Sequence, residues 1–279
     1  MPPTEIPPTA VRPTAIVTGA SRGIGKASAI ALAEAGFDVA ITARTVRRGD
    51  VADDPAGVGA GPLPGSLEET AEAIEAAGGT AHLIPLDLGD RERLIPAAYE
   101  AIEALGRVDV LVNNAIHTGP GNYERFLDAD LDAFAQRIEG NIVAQAFFTH
   151  PIVAAMVAQG GGTVMFMTSG AAYAPPFAMP GKGGWGFAYT VSKGGFHRMA
   201  IQLAYEYAAE GLRAFNVQPG FVATERVKLT GGPVANIAAT GVEPAVVGAA
   251  VAHIAAHPDD FESGSTIQLQ DVAKSLGLL

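Results

Sequence analysis

The chain has 279 residues, 48% of them apolar and 17% charged, with a formal charge of −11 and no cysteine. Such acidity opposes binding to nucleic acid or to an anionic membrane, since both need a surplus of Lys and Arg. The lack of cysteine excludes disulfides, thiolate metal sites and cysteine nucleophiles, and with no sign of an oxidising compartment the expected location is cytoplasmic.

In chain order, residues 1–13 carry prolines and no apolar core, so they read as a flexible tail rather than a secretory signal or an anchor. Residues 14–279 read as a single domain. Strands are predicted at 15–18, 39–43, 82–86, 110–113, 163–168, 214–217 and 266–269, most of them apolar throughout and separated by alanine-rich, helix-length stretches. Such strands imply a parallel sheet covered on both faces, because each crossover helix must bury a face. The expected class is α/β, one doubly wound sheet of about seven strands. No apolar run reaches the roughly 18 uninterrupted residues of a membrane span. Ligands of such sheets bind beyond the carboxyl ends of the strands, so the residues just after each strand are the candidates for function.

Three segments interrupt the alternation. Residues 46–66 are rich in Gly, Pro and Asp and lead into a helix opening near Ser66, where Ser66 and Glu69 have the spacing of a capping box. Residues 174–186 form a Pro/Gly loop carrying Phe177, Met179 and Trp185, and residues 229–241 form another loop before the helix that follows Pro244. Loops of more than about 12 residues in a compact domain tend to be lids, binding loops or disordered insertions.

The first strand runs into Thr18-Gly19-Ala20-Ser21-Arg22-Gly23-Ile24-Gly25 and then an alanine-rich helix. Strand, glycine turn and helix in that order make a dinucleotide site, with the pyrophosphate on the positive end of the helix; a structural glycine turn is the plainer reading, but it does not require this context. The end of the second strand should meet the adenosine ribose, where an Asp would take a free 2′-hydroxyl and an Arg a 2′-phosphate. Arg44 stands there, with Arg22 in the glycine loop and Arg47 and Arg48 following, so NADP is favoured over NAD. Alternatively Arg47 and Arg48 are solvated charges offset by Asp50, Asp53 and Asp54.

Further along, Tyr189-Thr190-Val191-Ser192-Lys193 opens a long helix, and a spacing of four puts both side chains on one face. A tyrosine has an ordinary pKa near 10 and exchanges protons poorly at neutral pH unless a cation stabilises the phenolate. Lys193 would supply it. Taken alone the pair is equally an amphipathic coincidence.

The GxxxGxG spacing within TGASRGIG, the Asn113-Asn114-Ala115 turn, Asn141, Ser169 and the Tyr189/Lys193 pair occur in one order, and together they resemble the short-chain dehydrogenase/reductase family from Ala15 to about Leu269. The resemblance implies a Rossmann-type fold and hydride transfer between nicotinamide and a carbonyl or alcohol carbon. It implies that Gly19, Ser21, Arg22, Gly23, Ile24 and Gly25 cradle the cofactor and that Asp87 and Leu88 meet the adenine. Asp87 could instead cap the helix beginning near Arg91. Asn114 and Ala115 would border the adenine ribose, Pro219, Gly220 and Val222 the carboxamide, and Thr224 the phosphate, although Pro219-Gly220 is also an ordinary turn sequence. Lys193 would also hold the nicotinamide ribose, Ser169 the substrate oxygen, and Asn141 would kink its helix and hold a water near Lys193. Thr168 competes with Ser169 for that role, and a buried, helix-kinking Asn141 without catalytic meaning is the plainer alternative.

Ser169 precedes Tyr189 by 20 positions (189 − 169), more than is usual in the family, so the 174–186 loop must bulge outward if both reach one substrate. Tyr173, Phe177, Met179, Trp185 and Phe187 in and beside that loop point to an apolar substrate or to a subunit contact. His117, after the Asn-Asn-Ala turn, is a candidate to border the substrate, while His253 and His257 lack a metal-site signature. The resemblance also implies a homodimer or homotetramer built on residues 131–158 and 187–210. Two other functions remain: a dinucleotide-binding sensor without chemistry, disfavoured by four intact catalytic residue types, and a sugar-nucleotide epimerase, disfavoured by the glycine spacing and the short carboxyl-terminal region.

Overall fold

The computed structural model describes residues 12–50, 63–229 and 239–279; most of the tail expected at 1–13 and of the 46–66 and 229–241 segments lies outside them, though Arg12, expected in that tail, is held by Asp38 at 3.0 Å. Strands β1 (Thr14–Thr18), β2 (Asp38–Ala43), β3 (Ala81–Pro85), β4 (Val110–Asn113), β5 (Gly162–Met167), β6 (Leu212–Gln218) and β7 (Thr266–Gln268) form one sheet in the order β3-β2-β1-β4-β5-β6-β7. All pairs are parallel. Each expected strand is present within two residues at either end. Pairing fades rather than stops, since Thr168 still donates to Val217 and Leu86 to Ala43. Leu269, expected to end the last strand, instead begins the helix Leu269–Ser275.

Both faces of the sheet are covered, which is why its strands read as unbroken apolar runs. On β1, Ala15 and Val17 join one core and Ile16 the other; on β5, Met165 and Met167 face one way and Val164 and Phe166 the opposite way. Helices α1 (Gly23–Glu34), α2 (Leu67–Ala76) and Pro244–Ala256 close the first face, and α3 (Arg91–Leu105), α5 (Ala144–Ala158) and α6 (Phe187–Glu206) the second. On α5 the fully buried Phe148, Ile152 and Met156 recur every four residues, the spacing of one helical stripe.

α4 (Leu131–Ile138) and α5 are joined by a wide π-helical turn, Glu139–Val143, that carries Asn141. Together they make a stretch of 28 residues, Leu131–Ala158, apolar and long enough to cross a membrane, but half of its most apolar 18 residues are buried in the protein and α5 packs on α3. Burial in a two-sided core accounts for its composition.

The chain winds outward from β1 to β3 and then returns to β4 beside β1, so crossovers diverge on either side of the β1/β4 pair. That divergence opens a crevice at the carboxyl ends of the strands. The expected capping box is present: Ser66 accepts from the Glu69 amide and Glu69 from the Ser66 amide, both at 3.1 Å. Leu67 and Glu68 add bonds to the carbonyls of Thr45 and Val46, so α2 starts beside the end of β2 whatever its connection does in between.

Candidate active site

The crevice is lined by Gly19, Ser21, Arg22, Gly23, Ile24, Gly25, Arg44, Asp87, Leu88, Asn114, Ala115 and Thr224, twelve of the residues expected to bind cofactor. The glycines have steric reasons to be there. Gly19 sits at φ +67°, and a Cβ on it would stand 2.9 Å from the Ala115 Cα. Gly25 lies against the Gly19 carbonyl and the Asn114 amide, which itself donates to the Thr18 and Gly19 carbonyls at 2.8 and 3.2 Å. Asn114 therefore ties β4 to the glycine turn, while the Thr18 hydroxyl receives the amides of Asn114 and Ala115.

The first turn of α1 already holds an anion, because the Glu225 carboxylate accepts from the Gly23 amide at 2.9 Å. An oxygen anion thus fits the site where helix dipole and free amides favour one. Positive charge gathers next to it: Arg226 and Arg44 lie close enough to Arg22 that, after burial itself, they help to push its pKa down. Arg22 is only partly available to a ligand. Its Nε donates to Pro64 and its Nη2 to Thr45, Leu63 and Gly65, holding the start of α2. Arg44 faces Asp87 across the cleft at 3.9 Å, with both side chains about half exposed. Arg47 and Arg48 stand outside the cleft as exposed charges, but the Arg48 side chain pairs with Glu72 of α2 at 2.7 Å rather than with the aspartates of its own loop expected to offset it, of which Asp53 and Asp54 lie outside the described residues. Asp87 does not cap the helix after it; Asp90 does.

Beyond the cleft, Tyr189 and Lys193 lie one turn apart in α6 and Ser169 follows β5. Burial pushes the Tyr189 phenol above its ordinary pKa, while the nearby Ser169 hydroxyl and then the charge on Arg137 pull it the other way. Thr168 is engaged elsewhere, its hydroxyl 3.0 Å from His197 Nδ1 in the core. Strand alternation thus sends Thr168 into the core and leaves Ser169 on the side of the phenol. The long 174–186 loop bulges outward without separating them. It is pinned to the loop after β4, where Gly186 donates to Asn122 and Phe187 to Glu124. Of its aromatic neighbours only Trp185 stacks on Tyr189, at 4.5 Å, with Tyr123 on its far side at 5.7 Å. Phe187 packs on Phe126 and Phe134, Tyr173 on His197, and Phe177 and Met179 are exposed.

Asn141 is buried in the wide turn, its side chain accepting from the His117 amide at 2.7 Å and donating to Ser192 at 3.2 Å. Its side chain therefore braces the β4 loop against α6. Pro219, Gly220 and Val222 follow β6 on the same carboxyl edge, where Gln270 holds the Pro219 and Phe221 carbonyls. His117 lines the cleft and is pushed below its ordinary pKa by burial and then by Arg137, so it is neutral at physiological pH. His253 and His257 stack on each other at the end of a helix remote from the cleft. Sequence reasoning overlooked Arg226, Glu225, Thr45 and Thr18, all of them next to residues it did choose.

Known proteins share this arrangement. The sequence pattern of the family described as short chain dehydrogenase matches residues 13–57 and 58–231. The chain belongs to that family. An L-rhamnose 1-dehydrogenase (NAD(P)(+)) of Sphingomonas sp. is 31% identical over 75% of this chain and 72% of its own, and a 7alpha-hydroxysteroid dehydrogenase of Escherichia coli is 28% identical over 76% and 72%. A 3-oxoacyl-[acyl-carrier protein] reductase of Brucella melitensis, solved in complex with NAD, superposes with a TM-score of 0.74 at 26% identity over 95% of this chain and 99% of its own. As a short-chain dehydrogenase the protein is an NAD(P)-dependent oxidoreductase acting on CH–OH groups.

Lys193 carries the site's most perturbed ammonium. Its Nζ donates to the Met167 carbonyl at 2.9 Å, and burial, aided by the charge on Arg137, lowers its pKa from 10.5 to about 8. Between those values the unfolded chain binds more protons than the folded one, so stability rises with pH from about 8 to 10.5 and the penalty is fully present below 8. That drop corresponds to about 3 kcal/mol, and an unpaired Met167 carbonyl would return about 1 kcal/mol. Urea melts of cofactor-free K193M should therefore show a gain of about 1–2 kcal/mol at pH 7 that disappears by about pH 10.5. A loss at pH 7 would show that the ammonium is not penalised.

Proposed function

We propose that the protein moves a hydride between NADP(H) and the carbonyl or alcohol carbon of an apolar small molecule. The observation that carries this reading is the Tyr189 side chain stacked on Trp185 at 4.5 Å, with Ser169 close by and the buried Lys193 one turn along the same helix. The bound nicotinamide supplies the hydride or accepts it. In reduction Ser169 holds the substrate oxygen and Tyr189 gives it a proton; in oxidation Tyr189 takes the proton away. Lys193 favours the phenolate and holds the nicotinamide ribose, and Asn141 keeps the β4 loop and α6 in register.

The cofactor is held by the amides of the glycine turn with Ser21, Ile24 and Thr224, by Asp87 and Leu88 at the adenine, by Asn114 and Ala115 at its ribose, and by Pro219, Gly220 and Val222 at the carboxamide. Arg44 and the positive charge around it support NADP over NAD, because a guanidinium pairs with a 2′-phosphate through parallel hydrogen bonds. Replacing Arg44 by Ala should weaken NADPH binding about 10- to 30-fold and NADH binding less than about threefold, from a charged hydrogen bond worth about 1.5–2 kcal/mol. Fluorescence titration of both cofactors checks this, and equal losses for the two would refute the assignment.

Trp185, stacked on the phenol, and the exposed Phe177 and Met179 support an apolar substrate. Exposed Tyr99, Val191 and Tyr205 on α3 and α6 support assembly of identical subunits through that side of the sheet. The direct test is the absorbance change of NADPH and NADH against a panel of ketones and aldehydes graded in polarity. Turnover that is faster with NADPH and rises with apolarity is expected, and no turnover on any of them would favour a non-catalytic binding protein.

A further inference from the structure

Among the described residues, the largest fully buried side chain is a charged one, Arg137 at the end of α4, 1% exposed. A buried charge is costly unless it is paired. Its partners are backbone carbonyls: Nη1 donates to His117 and Nη2 to Gly119 and Pro120, while Nε has no hydrogen-bond partner. A neutral donor could clamp those carbonyls at far lower desolvation cost. The placement supplies another reason for the charge. The clamped loop runs on to Gly121, and a Cβ there would lie 3.5 Å from Arg137 Nε and 3.1 Å from the Ala188 Cβ. The guanidinium therefore faces the first turn of α6, beside Tyr189.

We propose that Arg137 is a positioning residue for the reaction: it pins the loop that walls the phenol and sets a fixed positive charge beside Tyr189. The groups that face the phenol from the packed elements are Arg137 of α4, Ser169 after β5 and Tyr123 of the clamped loop; Glu124 faces Arg137 and Tyr123, and Lys193, one turn along the same helix, donates to the Met167 carbonyl. Lys193 loses its proton near pH 8, whereas a guanidinium keeps its charge throughout the working range. In alkaline solution Arg137 is then the cation that favours the phenolate, the form that starts alcohol oxidation. It acts through Tyr189 and touches no reacting atom.

The inference rests on Tyr189 as the proton-transfer residue, so Y189F is assayed alongside. The pH profile of alcohol oxidation is measured for wild type, R137Q, R137M and R137K, with NADP+ affinity as a control. In R137Q and R137M the limb that rises toward alkaline pH should move up by about one pH unit, with about fivefold lower kcat at the wild-type midpoint. R137K should keep the limb but lose about fivefold in kcat, because an ammonium cannot span both Gly119 and Pro120. A limb that stays at the wild-type pH in a folded neutral variant overturns the proposal, since a purely structural role would change stability alone. If neither neutral variant folds, wild-type kcat and KM in R137K overturn it. An active Y189F would instead overturn the underlying proton-transfer reading.

Discussion

Replacing Tyr189 by Phe should lower kcat for carbonyl reduction by at least about 10³-fold, while NADPH affinity stays within about threefold of wild type. The substitution removes one hydroxyl and leaves the ring, which keeps its stack on Trp185. What is lost is the proton donor, and positioned acid–base groups contribute about 10²- to 10⁴-fold. Ser169 still accepts from the Ala171 amide, so the fold should lose no more than about 1 kcal/mol. Steady-state kinetics with a cofactor titration separates the two effects. Retention of a tenth or more of wild-type turnover would remove Tyr189 from the chemistry.

Gly25→Ala should abolish cofactor binding and lower stability by about 2–3 kcal/mol, or about 5–10 °C in Tm. The new methyl would press on the Gly19 carbonyl and the Asn114 amide, and neither can retreat, since Asn114 is itself bonded to Thr18 and Gly19. To make room, α1 must back away from β1 and carry its first turn out of the crevice. Gly194→Ala is the contrasting case. Within α6 a methyl there meets only the Ala172 carbonyl at 3.5 Å, so helix propensity should dominate and stabilise the fold by up to about 1 kcal/mol. Thermal melts of both variants check the pair; similar destabilisation in the two would show that close helix–strand approach is not what Gly25 permits.

The strands were legible because both faces of the sheet are buried, which leaves continuous apolar runs in composition. The glycine turn, the Ser66 cap and the Tyr189/Lys193 spacing were legible because each is local, set within a few residues. Features made by distant segments were not. Arg22 looks like a phosphate ligand in its own loop, yet it grips Pro64 and Gly65 some forty positions on. Thr168 and Ser169 differ little in composition, and only the sheet's alternation parts them. Arg137 sits in an ordinary-looking amphipathic helix, where an arginine reads as a solvated charge. Its burial depends on the loop after β4 folding over it. Arg226 follows Thr224 at the cleft, a step past the point where the family pattern stops guiding the eye.

The wide turn at Glu139–Val143 has a bearing on how this segment tolerates insertion and deletion. It accommodates one residue more than regular winding would, so excising a single residue there would restore regular winding and leave α4 and α5 near their present phase, whereas a residue lost from α4 or α5 would turn what lies upstream by about 100°. A residue lost from the start of α5 would leave the rest of α5 its buried stripe against the sheet, while α4 would swing Arg137 from beneath its loop to another bearing. The turn is thus a reserve of length that a one-codon gap could use up without rotating its neighbours, and what such a gap would cost is the placement of Asn141.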